Sequence, residues 1–266
     1  MSRPAGALYL RSTPLQEYIT WAGAGLNLAC ALWCFTWLAL HRADLVLGWP
    51  GLFAVAVAGL FLADIYSGLI HWGTDTWFDE TMIKRVVCIA REHHIYPSHI
   101  NDYGFRDYVG YTSWPTVAIL GPISLALTSV SSGSGAALVA AGLMGEVCLC
   151  MIFGTHFHRF GHRQAKSPVV KLLQRAHLLV TPQYHGLHHR ANHDTHYCVV
   201  NGWANPLLDR VGFWRWLEGV VKALTGAVPR KNDHEWFARF DQDHSFMTNP
   251  VPSLLEQRRL EQETAS

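Results

Sequence analysis

The sequence predicts an all-α integral membrane protein, with about four transmembrane helices and a His-rich helical cap on the cytoplasmic side. Three observations carry this. Half of the 266 residues are hydrophobic, only 15% are charged and eleven are tryptophan, which is oily and aromatic for a soluble domain. Four apolar runs have the length of membrane spans. The histidines, sixteen in all, avoid those runs and gather in the polar stretches between and after them.

The formal net charge of +1 excludes a nucleic-acid partner, because phosphate binding needs a clustered positive field. Six cysteines do not make a disulfide framework: Cys30, Cys34, Cys148 and Cys150 lie in apolar runs, and no pair of CxxC motifs has zinc spacing. They read as free thiols or packing residues.

Residues 1–20 are mixed in character, with Pro4 and Pro14 discouraging a long helix, and read as a cytoplasmic tail. The first span, 21–40, holds twenty uncharged residues, enough at ~1.5 Å each to cross a hydrocarbon core of ~30 Å. The second, 49–70, opens on an interfacial Trp-Pro and is interrupted only by Asp64. An intramembrane carboxylate is expensive and is either functional or a hydrogen-bonding partner for a neighbouring helix. A polar stretch, 71–113, carries HWGTDTW and REHHIYPSH; Glu92, His93 and His94 do not have the order or spacing of a zinc-protease HExxH. The third span, 114–130, contains Pro122, and after the uncharged link SSGSG the fourth, 136–153, contains Glu146. Both are short enough that a re-entrant pair is an alternative to two crossings. Residues 154–240 continue the cap, in which 212–224 suits an amphipathic interfacial helix, and 241–266 are a polar tail. Residues 21–240 thus form one membrane domain.

Lys84, Arg85, Arg91, Arg106, Arg159, Arg163, Lys166, Lys171 and Arg175 follow the second and fourth spans, whereas the two intervening links carry a single arginine. The positive excess marks the cytoplasmic side, and an even number of crossings brings every histidine cluster to it.

The clusters have the make-up of a metal site. HGLHHRANHDTH holds five histidines, and on a helix His185, His188 and His189 share a face, with His193 one turn on. His158 and His162 stand four apart in GTHFHRFGHR, and His71, His93 and His94 add to the set. Neutral imidazole suits mid-row transition metals. One zinc takes about four ligands, so eight or nine imidazoles fit two irons better. Soluble di-iron bundles use Glu and Glu-x-x-His pairs, which are not seen here. The imidazoles should be oriented by carboxylates or carbonyls behind them; Asp75, Glu92 and Asp194 are candidates and Asp64 a more remote one.

The HxxxH and HxxHH boxes resemble those of integral-membrane fatty-acid desaturases and hydroxylases. HWGTDTW, REHHIYP, HGLHH, HDTHYCVVNGWANPLLDRVGFWRWLE and LTGAVPR together, from about Asp64 to Phe240, resemble the plasmanylethanolamine desaturase family. The resemblance implies an O₂-dependent oxidoreductase of lipid metabolism that forms the vinyl ether of plasmalogens, desaturating C1–C2 of the sn-1 alkyl chain of a 1-O-alkyl ethanolamine phospholipid. It implies two non-heme Fe ions held by His71, His93, His94, His158, His162, His185, His188, His189 and His193, without His156 and His196. His177 has no assigned part. A related branch of plant plastid desaturases acts on acyl chains of phosphatidylglycerol, so an acyl-lipid desaturase or hydroxylase is the nearest alternative.

Alkyl C–H bonds are not acidic, so a protein base cannot start such a reaction, whereas an oxidised di-iron centre can remove hydrogen. The chain has no cytochrome b5, ferredoxin or flavin motif, so the two electrons are expected from a separate electron-transfer protein of cytochrome b5 or ferredoxin type. A membrane metal carrier or sensor is the alternative from another class; it would place ionisable residues within several spans. The short N-terminal stretch favours a bacterial inner membrane over endoplasmic reticulum.

Overall fold

The computed structural model describes residues 13–41, 48–77, 90, 91, 93, 94, 97–101, 109–130, 134–190 and 193–229. Among these, all regular structure is helical. Four long helices, α1 (Pro14–Leu40), α2 (Gly48–Thr76), α3 (Ser113–Val130) and α4 (Gly135–Ile152), are each long and apolar enough to cross a membrane. Residues 14–20, expected to belong to the N-terminal tail, are helical. Pro14 starts α1 instead of opposing it, because the first helical position needs no amide hydrogen. Thr13 and Gln16 complete a reciprocal capping box there: the Thr13 hydroxyl accepts from the Gln16 amide at 3.2 Å, and the Thr13 amide donates to the Gln16 side chain at 2.9 Å.

The second span also runs past its expected end at residue 70. Twenty-nine residues make a rod of roughly 44 Å, about nine residues longer than a ~30 Å hydrocarbon core requires. Its upper end carries His71 and Asp75.

α4 lies at the centre of the bundle, packed on α1, α2 and α3. Small residues permit the close approach. A side chain at Gly142 would meet Val55 of α2, one at Gly145 would meet Phe35 and Cys34 of α1, and one at Gly59 would meet the Glu146 side chain. Asn27, fully buried in α1, donates through its side-chain amide to Cys148 O at 2.8 Å and to Ser113 Oγ at 3.3 Å, tying three helices together. The outer faces expose Leu26, Leu32, Phe53, Ile123 and Leu125, with Trp21, Trp33, Trp49 and Trp114 among them. This is the surface of a protein solvated by lipid.

Above the bundle, the chain forms a 3₁₀ turn (Pro97–Asn101) and short helices α5 (Gly154–Phe160), α6 (Pro168–Arg175), α7 (Pro182–His185) and α8 (Asn205–Arg210). The last helix, α9 (Phe213–Thr225), covers the region expected to be amphipathic and runs between Gly212 (φ +66°) and Gly226 (φ +72°), both in the left-handed region that favours glycine. Trp214, Leu217 and Val221 pack against Trp72, Tyr197 and Leu208, while Trp216 and Leu224 are exposed on the other side.

Candidate metal centre

The upper end of α2, the His93–His94 pair, α5 and α7 converge on one buried volume. It holds two adjoining groups of ligand-type atoms. The first comprises His93, His158, His162, His185 and His189; the second comprises His71, Asp75, His94 and His188; within each group the ligand atoms lie within 4.8 Å of one another. The groups touch through ring pairs, His71 with His158 at 4.6 Å between centroids and His93 with His94 at 4.5 Å.

Within the five-histidine group the Nε2 atoms of His158, His162 and His185 form a triangle with sides of 2.9, 2.9 and 3.0 Å, and that of His189 lies 3.2 Å from His185. Three neutral rings cannot satisfy such a triangle by hydrogen bonding, since each Nε2 either donates or accepts and three of them cannot alternate around a ring. Nitrogens bound to one ion at about 2.0–2.1 Å would have edges of about 3 Å, which is the observed spacing. Burial, reinforced by repulsion between neighbours, pushes His93, His158 and His185 well below the ordinary imidazole range and His162 down to about 3, and it lowers His189 as well. The rings are therefore neutral at pH 7, with lone pairs available to a metal.

In the second group, His71 Nδ1 lies 2.9 Å from Tyr197 O and His188 Nδ1 lies 2.7 Å from Thr195 O. A carbonyl only accepts, so each Nδ1 carries the hydrogen and each Nε2 is left as the ligand atom. Asp75 stands among these rings, not behind them as a carboxylate that orients imidazoles would. Its Oδ2 is 3.2 Å from His71 Nε2, 3.5 Å from His94 Nε2 and 3.6 Å from His188 Nε2. Both carboxylate oxygens are buried without a hydrogen-bond partner. A carboxylate in that position is costly unless a cation neutralises it, so both donor sets fit metal ions.

Several expected positions differ. His185, His188 and His189 do not share the face of a regular helix: α7 is a single turn ending at His185, and the chain then tightens into i→i−3 hydrogen bonds from Leu187 to Tyr184 and from His188 to His185. This splits the box, sending His185 and His189 to one group and His188 to the other. His193, at φ +51°, stacks on His94 with centroids 4.1 Å apart and belongs to neither group. Asp194 also stands outside both, and Glu92 lies outside the described residues. His156 faces Arg159, and His196 Nδ1 pairs with Asp209 Oδ2 at 3.0 Å. His177, another left-handed residue, is in neither group.

Sequence reasoning missed the two backbone carbonyls that orient His71 and His188. Nothing in a side-chain pattern marks a carbonyl as an acceptor. Asp64, read as either functional or a hydrogen-bonding partner, is fully buried and accepts from the backbone amides of Val200, Asn201, Gly202 and Ala204.

A lipid desaturase domain model matches residues 60–232, which include all nine expected histidines and Asp75. Plasmanylethanolamine desaturase 1 of Mus musculus is 32% identical over 247 residues, 88% of this chain and 87% of the mouse protein. Plasmanylethanolamine desaturase of Myxococcus xanthus is 30% identical over 186 residues, 68% of this chain and 64% of that protein. Fatty acid desaturase 4-like 2, chloroplastic, of Arabidopsis thaliana is 31% identical over 177 residues, 65% of this chain and 61% of the plant protein. No solved structure matches the chain.

Proposed function

The chain belongs to the lipid desaturase domain family, as an integral-membrane oxidoreductase of lipid metabolism, and from that premise we propose that it is a di-iron plasmanylethanolamine desaturase. The observation that carries the proposal is the pair of adjoining donor groups, one partly and one fully buried, with neutral imidazoles in the first and imidazoles around a carboxylate that no hydrogen bond satisfies in the second. One iron is assigned to His93, His158, His162, His185 and His189, and the other to His71, Asp75, His94 and His188, with Asp75 as a ligand. His193 supports His94 by stacking.

The substrate is a 1-O-alkyl ethanolamine phospholipid, which loses one hydrogen from C1 and one from C2 of its sn-1 chain. With two electrons and two protons from outside, O₂ is reduced to two waters. Two iron ions bound at these residues would supply the abstraction of hydrogen from an unactivated C–H bond, which no side chain can perform. The protein's own part is positioning and exclusion. Tyr197 O and Thr195 O hold His71 and His188 with their Nε2 lone pairs turned inward. Burial of His185 and His188 keeps water from the donor groups. Carbons C1 and C2 lie next to the glycerol backbone, at headgroup depth, and the upper end of α2 lifts His71 and Asp75 to that level.

Residues 21–240 act as one domain with its cap on the cytoplasmic side, in a bacterial inner membrane. The electrons come from a cytochrome b5 or ferredoxin type donor. The mouse and Myxococcus relatives favour the ether lipid over the acyl lipids of the plant branch, since the mouse protein aligns over a larger share of both chains.

The deciding measurement supplies membranes containing the protein with 1-O-alkyl glycerophosphoethanolamine, O₂ and reductant, and assays acid-labile vinyl ether. Product is expected, and replacing His185 and His189 together by alanine should abolish it. A wild-type protein that carries two irons yet yields no vinyl ether would overturn the substrate assignment, and an acyl double bond in its place would favour the plant-like activity.

A further inference from the structure

Asp64 sits on α2 well below the donor groups, and no element of the proposed chemistry uses it. It is nonetheless the most heavily engaged carboxylate among the described residues. Its Oδ1 accepts from the amides of Val200, Asn201 and Gly202, and its Oδ2 from that of Ala204, all at 3.0 Å. One turn along the helix, Ser67 Oγ accepts from the Val199 amide at 3.0 Å and donates to Asp64 O at 2.7 Å. Five amides of one irregular stretch, 199–204, are thus held by two side chains of α2. Gly68 leaves the room: a Cβ there would come within 2.6 Å of Cys198 Sγ.

Just before that stretch, two and four residues ahead of Val199, the chain presents Tyr197 O to His71 and Thr195 O to His188. The remaining amides nearby are also anchored, Cys198 on Asn205 at 2.9 Å and His196 on Asp209 at 3.2 Å, so the segment has little freedom to shift. Amides therefore face the membrane helix while two carbonyls face the imidazoles of the four-residue group. In the five-histidine group, by contrast, the Nδ1 atoms of His185 and His189 are buried without a hydrogen-bond partner.

We propose that Asp64 and Ser67 are positioning residues for one of the two metal ions: by clamping residues 199–204 from within the membrane helix, they fix the carbonyls that set the tautomer and direction of His71 and His188. This rests on the two-site metal reading above. Partners behind a ligating imidazole typically change metal affinity by ~10–100-fold when lost, and here the loss is passed through the backbone. The effect is expected to be selective, because His185 and His189 of the other group have no carbonyl on Nδ1 to lose.

The test uses the full chain in lipid nanodiscs, loaded with Zn²⁺ as a diamagnetic probe and ¹⁵N-labelled at histidine. Wild type should bind two Zn²⁺ per chain. D64N should bind one with unchanged affinity and the second about tenfold or more weakly, and two of the ring Nδ1–H signals should lose the shift of a hydrogen bond to a carbonyl. A merely structural role would lower thermal stability without separating the two sites or moving those signals. Equal affinity of both sites in a folded D64N, or a parallel loss at both, would overturn the inference. Should D64N not fold, S67A, which removes the Val199 acceptor and the local bond to Asp64 O but leaves the Asp64 carboxylate in place, decides: a few-fold selective weakening supports the clamp and unchanged affinities overturn it. Wild type that bound no metal would instead remove the metal reading on which the inference stands.

Discussion

Asp75 is the residue whose role the geometry changes most. As a carboxylate behind the ligands it would tune them; with an oxygen 3.2 Å from His71 Nε2 and near two more imidazoles, it supplies the only formal charge in either donor group. D75N keeps the shape and removes the charge, so it should lose one bound metal ion per chain and lower vinyl ether formation at least tenfold, read by metal analysis beside the turnover assay. The buried imidazoles also give a pH signature. A histidine whose folded pKa is depressed is neutral in the folded state while the unfolded chain takes up protons below its ordinary value. Stability of the metal-free protein is therefore complete above about 6.5 and falls as the pH drops toward the folded value of about 3 for His162, with the other buried rings adding in the same direction. Thermal unfolding of chelator-treated protein between pH 8 and pH 4 should show a monotonic loss. The imidazoles were legible in the sequence because type and spacing mark them. Thr195 O and Tyr197 O were not, since every residue owns a carbonyl and only the fold chooses which ones matter.

At the scale of elements, apolar length predicts helices well and their ends poorly. The four spans appear where apolar runs of 17 to 22 residues demand them, but α1 begins seven residues early on a capping box and α2 continues through His71 to Thr76. A polar residue past the bilayer need not end a helix if its side chain is buried by the protein. The HxxHH box shows the reverse error: its spacing suits a helix face, yet Gly186 and tightening hydrogen bonds divide it between two groups. The packing of α4 makes its glycines sensitive. A Cβ on Gly145 would lie 2.9 Å from a Phe35 ring carbon, so G145V should destabilise the bundle by about 1–3 kcal/mol through overpacking. Thermal unfolding in detergent should show this, while G135A, placed in open space, should leave the midpoint unchanged.

For the whole molecule, topology does what no local pattern could. Donor residues from His71 to His189 span more than a hundred positions, and four crossings return each to one end of the bundle. If the cap is cytoplasmic, S134C, at the foot of α4, should react with an impermeant maleimide from outside intact cells, whereas S167C, at the start of α6, should react only after permeabilisation. Reaction of both from the same side would remove a crossing. The even number of apolar runs made this arrangement legible from the sequence, while the division of one histidine-rich cap into two donor groups needed distances.

The unbroken α2 rod has one more consequence. Its lower turns are immersed in lipid, its middle holds Asp64 and its top holds His71 and Asp75, with no hinge between them. Depth in the membrane and height of the donor atoms are therefore a single coordinate. On the proposed function, the rod would measure from the bilayer to the bond that is cut, so that the choice of carbon atom would be made by a length as much as by a pocket.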